Sequence, residues 1–169
     1  MSKNIYLTNN IGSNYFKKGS YLSDKVKLNI LINNILKSIN DKKDVFHSLS
    51  EKFNFDFKYS DLAKFKKYKY IILIGMGGSA LGAKALYSFC NDKIKKKFIF
   101  FDNLDQLKIE KTKKEVDLKN SLFIIVSKSG NTLETLINSN LFKDRINKKN
   151  TIIITEKKIN LLNTFAKNK

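Results

Sequence analysis

Gly75-Met76-Gly77-Gly78-Ser79-Ala80 follows directly on the apolar run Tyr70-Ile71-Ile72-Leu73-Ile74. A glycine-rich turn between a buried strand and a helix leaves backbone N–H groups unpaired and aims them at an anion. The turn fits G-x-G-x-x-A, and Asp102 closes a second apolar run where a dinucleotide-binding fold holds its ribose-binding acid. A dinucleotide-dependent oxidoreductase is therefore one candidate. The motif alone is weak, because any tight strand-to-helix turn favours glycine. A turn with no ligand at all is the plain alternative.

A second stretch discriminates better. In Val126-Ser127-Lys128-Ser129-Gly130-Asn131-Thr132-Leu133-Glu134-Thr135, hydroxyl and amide side chains and one ammonium surround Gly130. This too is the mouth of an apolar run feeding a helical pattern. Hydroxyls and backbone amides there could surround one phosphate, with the helix dipole favouring its charge. Helix capping explains one such residue, but not the cluster. A dinucleotide site does not need this second loop, and the G-x-x-x-x-G-K-[ST] loop of nucleotide triphosphatases is absent. The pair of loops favours a compact phosphorylated metabolite. Glu134 is the one carboxylate among these residues. It serves either an acid/base apparatus or, as an ordinary first-turn glutamate, the helix dipole.

The elements that must hold these loops are visible in the hydrophobic pattern. Roughly the first 20 residues are polar and read as an arm. Ser23-Asp24 offers an N-cap for an amphipathic helix to about Ile39, and a further helical stripe carries Phe46, Leu49 and Phe53. From Tyr70 the pattern alternates. Strands are expected at 70–74, 98–101, 122–126 and 151–155, and helices at 79–90, after Asp102-Asn103 to about Leu118, at 131–141 and at 159–166. Four βα units in series predict a mainly parallel, doubly wound sheet with helices on both faces. The ligand belongs beyond the carboxyl ends of the strands, near the switch point.

Composition narrows the function classes. The 169 residues suit one domain, with a net charge of +18 carried by 33 basic residues. Only Arg145 is arginine, whereas base-edge readout leans on bidentate arginine, so nucleic acid is not the expected partner. Lysines scattered among asparagine and isoleucine read as solvated faces whose positive field attracts an anionic substrate. One cysteine, Cys90, and one histidine, His47, provide neither a disulfide nor a Cys/His metal cluster. No apolar stretch approaches the ~20 residues of a membrane span, and no signal-peptide layout opens the chain. A cytoplasmic protein is expected.

The segments IGMGGSALGAKAL and SLFIIVSKSGNTLETL together resemble the sugar-isomerase (SIS) domain, and specifically the glucose-6-phosphate isomerase family. The resemblance covers roughly Tyr70 to Lys169. Gly-Met-Gly-Gly-Ser-Ala is also similar to bifunctional phosphoglucose/phosphomannose isomerases, while Lys128 leans toward the first family. The resemblance implies a three-layer α/β/α SIS domain over residues 67–169, incomplete at its C-terminus, behind a helical segment 1–66. It implies substrate contacts from Gly78 and Ser79, and phosphate contacts from Ser127, Lys128, Ser129, Gly130, Asn131 and Thr132. Glu134 matches a supporting glutamate. The implied reaction is reversible conversion of glucose 6-phosphate to fructose 6-phosphate, by ring opening and carboxylate-mediated proton transfer between C2 and C1 through an enediol. No metal or organic cofactor is implied, and family members form homodimers.

His47 does not match the family's catalytic histidine and reads as a surface or packing residue. The family's main catalytic glutamate, histidine and lysine fall beyond Lys169, so the resemblance implies a truncated member, favoured over a stand-alone module. A non-catalytic SIS module that senses a phosphosugar remains the alternative.

Overall fold

The computed structural model describes residues 18–167. The chain divides into two compact units, Met1–Phe57 and Lys58–Lys169. Among the described residues no helix is long and apolar enough to cross a membrane.

In the first unit, Lys18–Asn40 forms helix α1. Ser23 and Asp24, expected at its N-cap, lie inside it instead. Asp24 stands 3.8 Å from Lys27, an i,i+3 pair along the helix. The expected polar arm falls outside the described residues up to position 17, and residues 18–20 already belong to α1. Val26, Leu28, Leu31 and Leu36 remain exposed along the helix. A 3₁₀ turn, Val45–Leu49, follows, capped by the Asp44 carboxylate, which accepts the Phe46 N–H at 2.9 Å. His47 is half-buried, its Nδ1 2.9 Å from the Ile39 carbonyl and its ring 6.1 Å from that of Phe53. It is a packing residue of this unit.

The second unit is built on four runs of β-branched and aromatic residues that suit a pleated surface. Tyr70–Ile74 forms β1, Lys97–Phe101 β2, Ser121–Val126 β3 and Thr151–Ile154 β4. All pairings are parallel, in the order β2-β1-β3-β4. Helices α2 (Gly78–Phe89), α3 (Gln106–Glu115), α4 (Leu133–Leu141) and α5 (Leu161–Lys167) alternate with the strands. The expected mainly parallel α/β sheet is what forms.

Period-two alternation assigns the faces. Ile72 lies beside Ile99 and Phe123 in register, and this face packs with Ile109 of α3, Leu136 of α4 and Leu162 of α5. Phe101, Phe123 and Phe142 are its fully buried aromatics, with ring centroids 5.2 Å apart for Phe101–Phe142 and 5.7 Å for Phe123–Phe142. Each such burial contributes about 1.5–3 kcal/mol, which anchors the strand ends where the loops emerge. The opposite face carries Ile71, Phe98 and Leu122, with Tyr68 beneath and Tyr87 of α2 against Phe98 at 4.7 Å. The sheet starts at β1, steps out to β2, then returns past β1 to β3. That reversal makes the crevice between β1 and β3 the switch point, where two connecting loops diverge to opposite faces.

Candidate functional site

Both glycine-containing loops open at that crevice. Ile74 pairs in register with Ile125, so Gly75 emerges beside Val126. A Cβ on Gly75 would stand 2.9 Å from the Val126 carbonyl oxygen and 3.1 Å from the Ser79 Cβ. Glycine at 75 therefore serves the close approach of one loop to the other. The structure brings the two predicted loops together across one backbone contact.

Each loop then feeds a helix whose first turn has no side-chain cap. Gly77 is the N-cap of α2, with φ 51°, and has no side chain to offer. Thr132 is the N-cap of α4, but its hydroxyl does not cap; Thr132 Oγ1 lies 3.0 Å from Ser127 Oγ. The polar cluster is thus not consumed in capping α4. Two uncapped helix N-termini at the ends of neighbouring strands, one per face, concentrate positive potential in the crevice.

The side chains of the second loop divide into those that shape it and those that remain outward. Ser127 is buried at 2% exposure, and its Oγ accepts the Gly130 N–H at 3.1 Å. Asn131 Oδ1 accepts the Leu161 N–H of α5 at 3.0 Å, so its side chain is engaged. Ser129 accepts the Asn131 N–H at 3.2 Å while remaining exposed. Lys128 is exposed and forms no ion pair among the described residues, although its charge, after that of Lys158, helps hold the Glu156 carboxyl below its ordinary value. Gly78 is exposed at the start of α2, and Ser79 is half-buried beside it. Glu134 is exposed in the first turn of α4. His47 belongs to the other unit.

Asp102 decides how a dinucleotide would fare here. Its carboxylate is paired with Lys84 of α2, and that hydrogen bond, opposed by partial burial, lowers its pKa from the ordinary 3.8. A ribose hydroxyl would have to displace this ammonium. The sign of the pH effect follows. A depressed folded pKa means the pair's stabilisation is present above 3.8 and is lost as pH falls through the lower folded value. Lys84→Ala should therefore cost up to about 1 kcal/mol near neutrality, since the pair is partly exposed. The difference between variant and wild type should vanish in acid well below 3.8. Thermal unfolding midpoints at the two pH values check this.

Sequence reasoning missed three tertiary residues: Lys84, Asn138 and Asn160. Asn138 of α4 donates to the Asn103 carbonyl at 3.0 Å, fixing the loop after β2. Asn160 lies under Gly130 and caps α5. An asparagine just before the apolar pair Leu161-Leu162 was a readable N-cap signal for the last of these.

A parallel four-stranded sheet flanked by helices, with two glycine-containing loops at its switch point, defines an α/β domain of the SIS type. The phosphoglucose isomerase family model matches residues 23–168, and the chain belongs to that family. Glucose-6-phosphate isomerase of Methanocaldococcus jannaschii is 45% identical over 94 residues, 54% of this chain and 23% of that protein. The enzyme of that name from Borreliella burgdorferi (strain ZS7) is 40% identical over 105 residues, 54% of this chain and 20% of the relative. This chain thus spans between a fifth and a quarter of the length of those curated relatives. The crystal structure of a glucose-6-phosphate isomerase from Chlamydia trachomatis superposes with a TM-score of 0.52 and 30% identity. That superposition covers 56% of this chain and 20% of the other. A hypothetical protein from Thermus thermophilus gives 0.54 and 31%, over 60% and 26% of the two chains.

Proposed function

We propose that the crevice between β1 and β3 binds a hexose 6-phosphate, and that the chain serves the reversible interconversion of glucose 6-phosphate and fructose 6-phosphate. The observation that carries this reading is the close approach of the two loops at Gly75 and Val126, each leading into a helix with no side-chain cap, with the exposed Lys128 in the second loop. In this reading the N–H groups opening α4, the Lys128 ammonium and the Ser129 hydroxyl take the phosphate, with Ser127, Gly130, Asn131 and Thr132 forming the loop. Gly78 and Ser79 face the sugar from α2. Isomerisation itself needs ring opening and transfer of the C2 proton to C1 by a carboxylate. Glu134 would support that apparatus from the first turn of α4. Phosphate binding, remote from the reacting carbons, supplies orientation. Relatives bearing the isomerase name support the reaction class, and the engaged Asp102 disfavours a dinucleotide. We place the activity in the cytoplasm, in a homodimer.

Lys128→Ala should remove a charge-assisted contact of about 1.5–3 kcal/mol, a loss of roughly tenfold or more in affinity for glucose 6-phosphate. Ser79→Ala should cost less, because a hydroxyl contact is neutral where the Lys128 contact is charge-assisted. Titration calorimetry on variants with unchanged circular dichroism provides the check. Unchanged affinity in both would remove the shared pocket.

A further inference from the structure

We infer that Asn160 is a positioning residue for the loop Ser127–Thr132, acting through the segment that leaves β4. The inference rests on the reading of that loop as the phosphate site. The segment grips the loop along its length. The Ser127 N–H donates to the Ile154 carbonyl at 3.0 Å, and the Glu156 N–H to the Lys128 carbonyl at 3.1 Å. The Leu162 N–H donates to the Gly130 carbonyl at 2.9 Å, and the Leu161 N–H to Asn131 Oδ1 at 3.0 Å. Thr155 Oγ1 adds a longer contact to the Lys128 carbonyl at 3.4 Å. The Lys128 and Gly130 carbonyls and the Asn131 side chain are thereby held, while Lys128 and Ser129 remain exposed.

Asn160 holds the gripping segment itself. It is buried at 5% exposure, and its Oδ1 accepts the Asn163 N–H of α5 at 2.8 Å. Its Nδ2 donates back to Thr155 Oγ1 at 3.3 Å. The side-chain amide also fills the space directly against Gly130, so that a Cβ on Gly130 would overlap it. Gly130 sits at φ +68°, a left-handed conformation that an unsupported loop has no reason to keep uniquely. An anion site made of backbone N–H groups loses affinity when its loop must be ordered on binding, so a residue that pre-orders the loop raises affinity without touching the ligand.

The competing possibility is that Asn160 only caps α5. Asn160→Ser separates the two, because serine remains a good N-cap while withdrawing the amide from Gly130 and the donor from Thr155. Asn160→Ala removes both roles and serves as the comparison. Three readouts on the full chain are needed: the thermal midpoint, the affinity for glucose 6-phosphate, and the ligand-free amide resonances of residues 128–132. Asn160→Ser should keep nearly the wild-type midpoint, bind about three- to tenfold more weakly, and shift the Gly130 and Asn131 resonances. Wild-type resonances together with wild-type affinity in that variant would overturn the inference, whatever happens to the midpoint. Should the wild-type chain bind no glucose 6-phosphate, the functional reading fails. The ligand-free resonances then decide the role of Asn160 by themselves.

Discussion

Gly130→Ala is expected to abolish measurable hexose 6-phosphate binding while leaving the sheet folded. Two costs combine at this position. An alanine at φ +68° is strained by about 1–3 kcal/mol, as for non-glycine residues in sparsely populated backbone regions. Its methyl would also overlap the Asn160 side chain, which is buried and hydrogen-bonded to α5 and Thr155 and so cannot swing aside freely. Overpacking of that kind costs a further 1–3 kcal/mol or so. Relief then requires the loop itself to leave its shape, at the expense of the hydrogen bonds that Glu156 and Leu162 make to its Lys128 and Gly130 carbonyls. Affinity should then fall by about 100-fold or more, beyond the loss from Lys128→Ala. Circular dichroism with titration calorimetry distinguishes loop collapse from unfolding. Wild-type affinity in Gly130→Ala would mean that the loop does not bind in this conformation.

An equally large effect is expected in catalysis. A polypeptide of these 169 residues should bind hexose 6-phosphate without isomerising it at an enzyme-like rate. Transfer of the C2 proton needs a carboxylate held over the reacting carbons, and ring opening needs an acid/base partner. Among the described residues, three carboxylates near the strand ends are already committed. Asp102 pairs with Lys84, Glu156 pairs with Lys158, and Asp105 caps α3 by accepting the Lys108 N–H at 2.9 Å. Glu134 stands exposed, and His47 belongs to the first unit. Each acid/base group contributes about 10²–10⁴-fold, so two unfilled roles leave the rate about 10⁴-fold or more below that of a complete site. A coupled assay of fructose 6-phosphate formed by the purified chain measures this. Brisk turnover, abolished by Glu134→Gln, would contradict the expectation and make Glu134 the base.

How much of this followed from residue order can be traced to individual segments. Tyr70–Ile74 is a strand because five consecutive apolar residues suit a strand buried on both faces, and its limits coincide with the expected ones. The other strands agree to within a residue, since each is bounded by a change from apolar to polar residues. The parallel α/β arrangement and the adjacency of the two loops follow from that alternation. The start of α1 did not follow, because Ser23-Asp24 carries the chemistry of a cap yet is tolerated within a continuing helix.

Within the site, residue types announced an anion loop but not the division of labour inside it. Thr132 looks like a cap and instead turns its hydroxyl to Ser127; Asn131 looks like a ligand and instead accepts from α5. Asp102 looks like a ribose acid and instead pairs with Lys84. The Asn131 and Asp102 choices depend on partners in separate elements, Leu161 of α5 and Lys84 of α2, whereas Thr132 finds Ser127 within its own loop. Asn160 is the extreme case, separated from Gly130 by helix α4 and strand β4 and packed against it.

The measurement that bears most directly on the proposed phosphosugar site is calorimetric titration of the 169-residue chain with glucose 6-phosphate, fructose 6-phosphate, free glucose and NAD. Two adjacent, uncapped helix N-termini with an exposed lysine predict saturable binding of both hexose 6-phosphates. They also predict no comparable heat from free glucose and weaker or absent binding of NAD. Loss of the hexose 6-phosphate signal in Lys128→Ala would tie it to the second loop. Tighter binding of NAD than of either sugar phosphate would contradict the reading and return the crevice to a dinucleotide.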